Sequence, residues 1–303
     1  MSPSPLSSSP YELFGVASTV SHDELRKAFR RALRTTHPDT GGDPARFHAV
    51  QLAWEQVSTP ERRALYDSGR GARHEPQTFA AQPARARRDT RPRARTHGHP
   101  GGWRRERYLE LVREWAGRGA TLDDPYDPQL VRTAPRELRH LLADALAEEA
   151  TARTLAELGI GYTVWHDVAT DIPERKIDHL VLGPTGFWAL LSEDYGGPVR
   201  VKRGELIGEA LHGERPVHEL ASRAKALTRR VRVKVTGLAI VLPDDALDES
   251  FVALGSTRGA GTLAVRQSYL GGVLRAGLPD VRTVGGQELF DLRTRLQAGV
   301  EFV

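Results

Sequence analysis

The sequence predicts a multidomain chain: an N-terminal all-α helical hairpin, a disordered arginine- and proline-rich linker, and a C-terminal α/β domain around a mixed sheet. Three observations carry that prediction. Apolar residues recur at helical spacing up to about Gly69. Large apolar residues then almost vanish between about Gly71 and Gly102. Beyond about Ala134, helical runs alternate with β-branched strand runs. The boundaries follow as residues 9–69, 70–102, a connecting helical segment at 103–133, and 134–303.

In the first segment, Ser9-Pro10-Tyr11-Glu12 supplies a serine cap, a proline in the first turn and a glutamate three residues after the cap. Gly15 ends that short helix, and Ser21-His22-Asp23-Glu24 repeats the capping box. Val20 and Leu25 occupy the two positions of a hydrophobic staple around it. Leu25, Ala28, Phe29, Ala32 and Leu33 then form one apolar stripe, with Arg26, Lys27, Arg30, Arg31 and Arg34 on the opposite arc. Phe47, Val50, Trp54 and Val57 make a second stripe, so two helices joined by a short loop should pack as a hairpin. Pro60 opens a last helix from Glu61 to Asp67. His37, Pro38 and Asp39 lie in the hairpin loop, followed by Thr40-Gly41-Gly42.

The linker holds the positive charge. Between Arg70 and Arg107 eleven arginines face three acids, a net of +8 in a chain whose total is +4. Such a stretch buries too little surface to fold. Its arginines could contact nucleic-acid phosphates non-specifically, or simply keep a spacer extended. In the segment that follows, Trp103, Tyr108, Leu111 and Trp115 are the candidate contacts of a short amphipathic helix. The C-terminal segment reads as a helix over 138–158 and strands over 162–168, 176–182 and 187–191 around a turn at 183–186. Strands near 198–202 and 233–242 flank a helix over 217–230.

Composition excludes several classes. There is no cysteine, hence no disulfide and no thiolate metal site. No apolar run approaches the roughly 20 residues that span a bilayer, and the first residues lack a signal-peptide pattern. The expectation is a soluble, cytoplasmic protein with no membrane association, no cofactor and no bound metal.

The N-terminal motifs resemble the J-domain of DnaJ-type co-chaperones. The match rests on Pro10 to Val16, Leu25 to Arg31, His37-Pro38-Asp39, Phe47, Ala53-Trp54-Glu55 and Arg63 to Asp67. That resemblance implies a partner, a DnaK-type chaperone of the Hsp70 class, whose ATP hydrolysis the loop tripeptide stimulates. Arg26, Arg30 and Arg31 would meet an acidic surface of the partner, with Phe29 and Phe47 at the rim. Thr35-Thr36 stand where the family carries a basic-aromatic pair, which should lower affinity. Stimulating a partner is not chemistry, so no catalytic residue is expected here.

The C-terminal segment resembles the nuclease-related domain, NERD, whose fold is restriction-endonuclease-like of the PD-(D/E)xK type. The match rests on Glu148, Thr151-Ala152-Arg153, Tyr162 to Val168, Ile177-Asp178-His179, Gly183-Pro184, Gly186-Phe187 and Tyr195-Gly196-Gly197. The resemblance implies two carboxylates holding Mg²⁺ and a lysine that activates water. Aligning on Tyr195-Gly196-Gly197 puts Leu191 in the position of the second acid and Glu193 in that of the lysine. Glu148 and Asp178 remain, and Lys202 could in principle reach in from the following strand. The expectation is an inactive nuclease-related domain that docks an unknown client or partner, in a non-enzymatic co-chaperone. The alternative is a nucleic-acid-binding or nucleic-acid-cleaving protein recruited by the chaperone.

Overall fold

The computed structural model describes residues 9–37, 44–67, 92–117, 122–171, 175–279 and 281–303. The chain forms two units. The N-terminal part of the first holds α1 (Pro10–Phe14), α2 (His22–Thr36), α3 (Pro44–Val57) and α4 (Pro60–Asp67). Both predicted capping boxes form, at Ser9 with Glu12 and at Ser21 with Glu24. Tyr11, Phe14, Leu25, Ala28, Val50, Ala53 and Val57 are the buried core; Leu25, Ala28, Val50 and Val57 come from the two predicted stripes, and Ala53 joins them from α3. Arg63 ties α4 to the start of the unit. Its guanidinium donates to the Tyr11 hydroxyl at 3.1 Å and to the Ser18 and Val20 carbonyls at 2.9 and 2.6 Å.

The second unit is built on a seven-stranded mixed sheet. Its strands are β1 (Arg95–His97), β2 (Thr163–Ala169), β3 (Lys176–Gly183), β4 (Gly186–Ser192), β7 (Gly237–Leu242), β8 (Phe251–Thr257) and β9 (Ala260–Arg266). They lie in the order β1-β2-β3-β4-β7-β9-β8. A separate hairpin joins β5 (Arg200–Lys202) to β6 (Glu205–Ile207). β2, β3 and β4 form an antiparallel meander, while β4, β7 and β9 run parallel. Every residue of β3 and β4 is buried, as strands covered on both faces must be. One face packs on α7 (Arg136–Ala156) and α9 (Leu270–Ala276), through Leu155, Leu270 and Leu274. The other packs on α8 (Pro216–Val231) and α10 (Gly286–Gly299), through Leu220, Leu227 and Leu296.

Three boundaries differ from the sequence reading. The linker expected at 70–102 lies outside the described residues up to Arg91, but its last part is ordered into the second unit. There Arg95, Thr96 and His97 pair with Thr163, Val164 and Trp165. An edge strand needs only backbone partners on one side, so it carries no apolar alternation to betray it. The segment 103–133 divides between the units. α5 (Gly102–Ala116) belongs to the second unit, with Tyr108 and Val112 buried and Trp115 exposed. α6 (Pro128–Thr133) belongs to the first, where the Gln129 amide donates to the Asp67 carbonyl and Arg132 lies 5.1 Å over the Tyr66 ring. Finally, the sheet continues past Leu242, where the resemblance stops: β8 and β9 complete it. Among the described residues, no helix is long and apolar enough to cross a membrane.

Candidate functional site

The loop of the helical hairpin starts at His37, the C-cap of α2. Its ring meets Phe47 of α3 edge-on, with centroids 5.0 Å apart. The two predicted residues thus come together across the loop mouth. Pro38 and Asp39 lie outside the described residues. Arg26, Arg30 and Arg31 are all exposed on α2. Phe29 is placed more deeply than a rim position implies. It stacks on Trp54 at 4.4 Å and meets Phe14 edge-on at 5.8 Å, so its first task is holding the hairpin.

The second unit buries a dense ionic cluster. Asp144 and Glu148 sit one turn apart on α7, and both are buried. Lys176 and Asp178 sit two residues apart on β3, a spacing that turns both to one face of a strand. The Lys176 ammonium lies 2.5 Å from Glu148 Oε2, 2.6 Å from Asp167 Oδ1 and 2.9 Å from Asp178 Oδ1. Arg104, from the first turn of α5, pairs with Asp144, with Glu148 Oε1 at 2.8 Å and with Glu193 Oε1 at 3.0 Å. The start of α5 adds backbone donors: Gly101 N–H to Glu148 at 3.1 Å and Trp103 N–H to Asp167 at 3.2 Å. Gly101 has φ +70°, and a Cβ there would lie 2.7 Å from the Ala145 carbonyl oxygen, so only glycine allows this approach. Asp167 itself holds φ +51°, a strained value for a non-glycine residue.

Electrostatics follow from burial and pairing together. Burial pushes the Glu148 carboxyl up, neighbouring Asp178 adds to it, and the group reaches about 8. Burial also works to raise Asp178, but Lys176 and Arg104 outweigh it and hold the group at about 2. Burial opposes the Lys176 charge, yet Asp178 and Glu148 overcome it and keep the ammonium above its ordinary value. Burial raises Glu193 and Asp144, against the pull of Arg104.

These residues match a catalytic Mg²⁺ centre only in part. Two acids expected of such a centre, Glu148 and Asp178, do lie beside an ammonium group, but a guanidinium takes the other oxygen of Glu148. The third position, Leu191, is buried in the apolar layer with Phe187, Ala189 and Leu220 on the α8 side of the sheet. Glu193, in the lysine position, accepts from Arg104. Lys202 is exposed on β5 and does not reach in; the lysine among the acids is Lys176. Sequence reasoning also passed over Arg104, Asp144 and Asp167.

One further buried polar pair lies beside this cluster. The Nδ1 atoms of His166 and His179 are 2.7 Å apart, so one ring donates and the other accepts. Burial holds His166 down at about 4 and His179 well below the ordinary imidazole value. Their folded values lie below the unfolded value of about 6.5, so the unfolded chain binds more protons below that pH. The stability the pair allows is therefore full above pH 6.5 and falls as pH drops toward 4. In histidine ring NMR spectra, both signals should keep their neutral positions down to about pH 5. Titration of either ring above that pH would contradict the buried neutral pair.

Comparison with known proteins separates the two units by kinship. Residues 9–67 match the DnaJ domain family and residues 143–242 match the nuclease-related domain family. Chaperone protein dnaJ A6 of Oryza sativa subsp. japonica is 49% identical over 57 residues, 19% of this chain and 14% of that protein. The DnaJ protein homolog of Cucumis sativus is 47% identical over 57 residues, again 19% and 14%. Chaperone protein DnaJ of Roseiflexus castenholzii is 45% identical over 60 residues, 19% of this chain and 16% of that protein. The chain thus spans about 14 to 16% of the length of these relatives. No solved structure matches it. The chain carries a DnaJ domain followed by a nuclease-related domain.

Proposed function

We propose that this protein is a co-chaperone that stimulates ATP hydrolysis by a DnaK-type Hsp70 chaperone, and that its nuclease-related unit is a non-catalytic docking surface for a client or partner. The observation that carries the first half is the hairpin mouth. His37 ends a helix whose outer arc exposes Arg26, Arg30 and Arg31, and its ring packs on Phe47 across the loop. Pro38 would stiffen the loop between His37 and Asp39. The three arginines offer bidentate donors to an acidic partner surface. Names of the relatives, chaperone proteins DnaJ, support the same reading. We expect the protein to act in the cytoplasm, where such a partner resides.

The electrostatic half is tested by affinity. Arg30→Ala with Arg31→Ala should weaken binding of a DnaK-type chaperone at about 50 mM salt. Exposed charges are screened over about 8 Å at physiological ionic strength, so the gap should narrow as salt rises. A wild-type affinity that stays flat with salt would show that this arc does not make the contact.

A second reading, a metal-dependent nuclease, is favoured by Lys176, which brings an ammonium to the acids where Glu193 does not. Against it stand Leu191 in the apolar layer and Arg104 across Asp144, Glu148 and Glu193. The purified chain should cleave neither DNA nor RNA, single- or double-stranded, with Mg²⁺ or Mn²⁺. Cleavage that disappears in Asp178→Ala would establish the second reading. Binding of nucleic acid through the arginine-rich segment would instead appear as salt-dependent retention without cleavage.

A further inference from the structure

At the edge of the ionic cluster, three side chains converge from separate parts of the second unit. His140 lies on α7, one turn before Asp144. Glu193 follows the end of β4, and Glu214 precedes α8. One ligand atom of each lies within 4.8 Å of the others. His140 Nε2 is 3.3 Å from Asp144 Oδ2 and 4.0 Å from Glu193 Oε2, while the other ring nitrogen, Nδ1, is 3.9 Å from Glu214 Oε1; one of the two would bind the ion. We propose that His140, Glu193 and Glu214 form a site for one divalent transition-metal ion of the zinc class, a departure from the expectation of no bound metal.

The donor chemistry selects the ion. One imidazole and two carboxylates are a three-ligand set for Zn²⁺ that leaves a fourth position for water. Mg²⁺ and Ca²⁺ prefer sites made wholly of oxygen donors. Arg104 organises the set from behind. It holds Glu193 through Oε1, which leaves Oε2 facing His140. Such outer partners commonly fix the orientation of metal ligands.

A second, independent feature points to an occupant. Tyr195 is only 3% exposed, yet its hydroxyl has no hydrogen-bond partner among the described residues. Its ring packs 6.2 Å from that of His140, and the acids acting on its hydroxyl are Glu193, Glu214 and Asp144. The ring thus packs beside the imidazole of the proposed site, and the hydroxyl lies in the field of its two acids. Buried phenols normally find a partner, and a metal-bound water at that site would supply it. Charge agrees. Arg104 alone serves three acids here, Asp144, Glu148 and Glu193, and burial holds Glu193 above its ordinary value. A cation at the Glu193 edge would favour its charged form. Access exists as well, because the Glu214 side chain is 39% exposed and that of His140 18%. The site shares only Glu193 with the positions expected of a nuclease and does not depend on the co-chaperone reading.

The test uses the full chain, stripped of metal with chelator and titrated with Zn²⁺ by calorimetry at pH 7. The expected result is saturable binding near one equivalent, with affinity falling by at least about tenfold in Glu214→Gln and in His140→Ala. Mg²⁺ at millimolar concentration should give neither heat nor a rise in melting temperature. Co²⁺ should give visible absorption of a four-coordinate centre, lost in the same variants. Glu214 is partly exposed, so its variant carries the test even if His140→Ala fails to fold. No binding by the wild-type chain, or unchanged Zn²⁺ affinity in folded Glu214→Gln, would overturn the proposal.

Discussion

Replacing Lys176 by methionine should destabilise the second unit by about 3–5 kcal/mol, the usual cost of removing one partner from a buried ion pair. Lys176 touches Glu148, Asp167 and Asp178, and the first and last of these are fully buried. Methionine fills similar space, so packing changes little and the loss reports charge. Its pH dependence has a definite sign. Asp178 is held at about 2 in the folded chain, below its unfolded value of about 4. A depressed carboxyl contributes stability above the unfolded value and loses it as pH falls through the folded one. The part of the gap between wild type and Lys176→Met that comes from Asp178 should be full above about pH 4 and shrink toward pH 2. Denaturant unfolding at several pH values measures it. A loss under about 1 kcal/mol at neutral pH would mean that water, not Lys176, solvates these acids.

The helical unit was legible in detail because its signals are local. Ser9 with Glu12 and Ser21 with Glu24 cap helices within four residues of sequence, and the apolar stripes name the core directly. The strands of the meander were legible for the same reason, from the alternation over 162–168 and the short apolar runs on either side of the turn at Pro184. β1 was not, because an edge strand rests on backbone pairing with β2 and leaves no side-chain pattern. The ionic cluster was half legible. Glu148 and Asp178 were named, but Lys176-Ile177-Asp178 already placed a lysine and an acid on one face of a strand. His140, Asp144 and Glu148 likewise recur every four residues along α7, a polar stripe whose last two members interrupt its buried face. Arg104 could not be found this way. It comes from a segment 40 residues distant from Asp144, and only the fold brings them together. Its neighbours in sequence made it look like one more arginine of a basic linker.

Substituting His37 should have the largest functional effect. His37→Gln keeps the length and polarity of the side chain but removes the ring that packs 5.0 Å from Phe47. The helices on either side draw their stability from Leu25, Ala28, Val50 and Val57, which the substitution does not touch. Helicity should therefore survive while the signal to the partner is lost. Asp39→Asn should behave in the same way, by removing the charge at the other end of the tripeptide. The account as a whole rests on this separation of fold from signal. Its most direct test is single-turnover ATP hydrolysis by a DnaK-type chaperone, with the full wild-type chain and with His37→Gln at matched helicity. The account predicts that the wild-type chain accelerates hydrolysis and that His37→Gln leaves the chaperone at its basal rate. Equal acceleration by both chains, or none by the wild type, would contradict it.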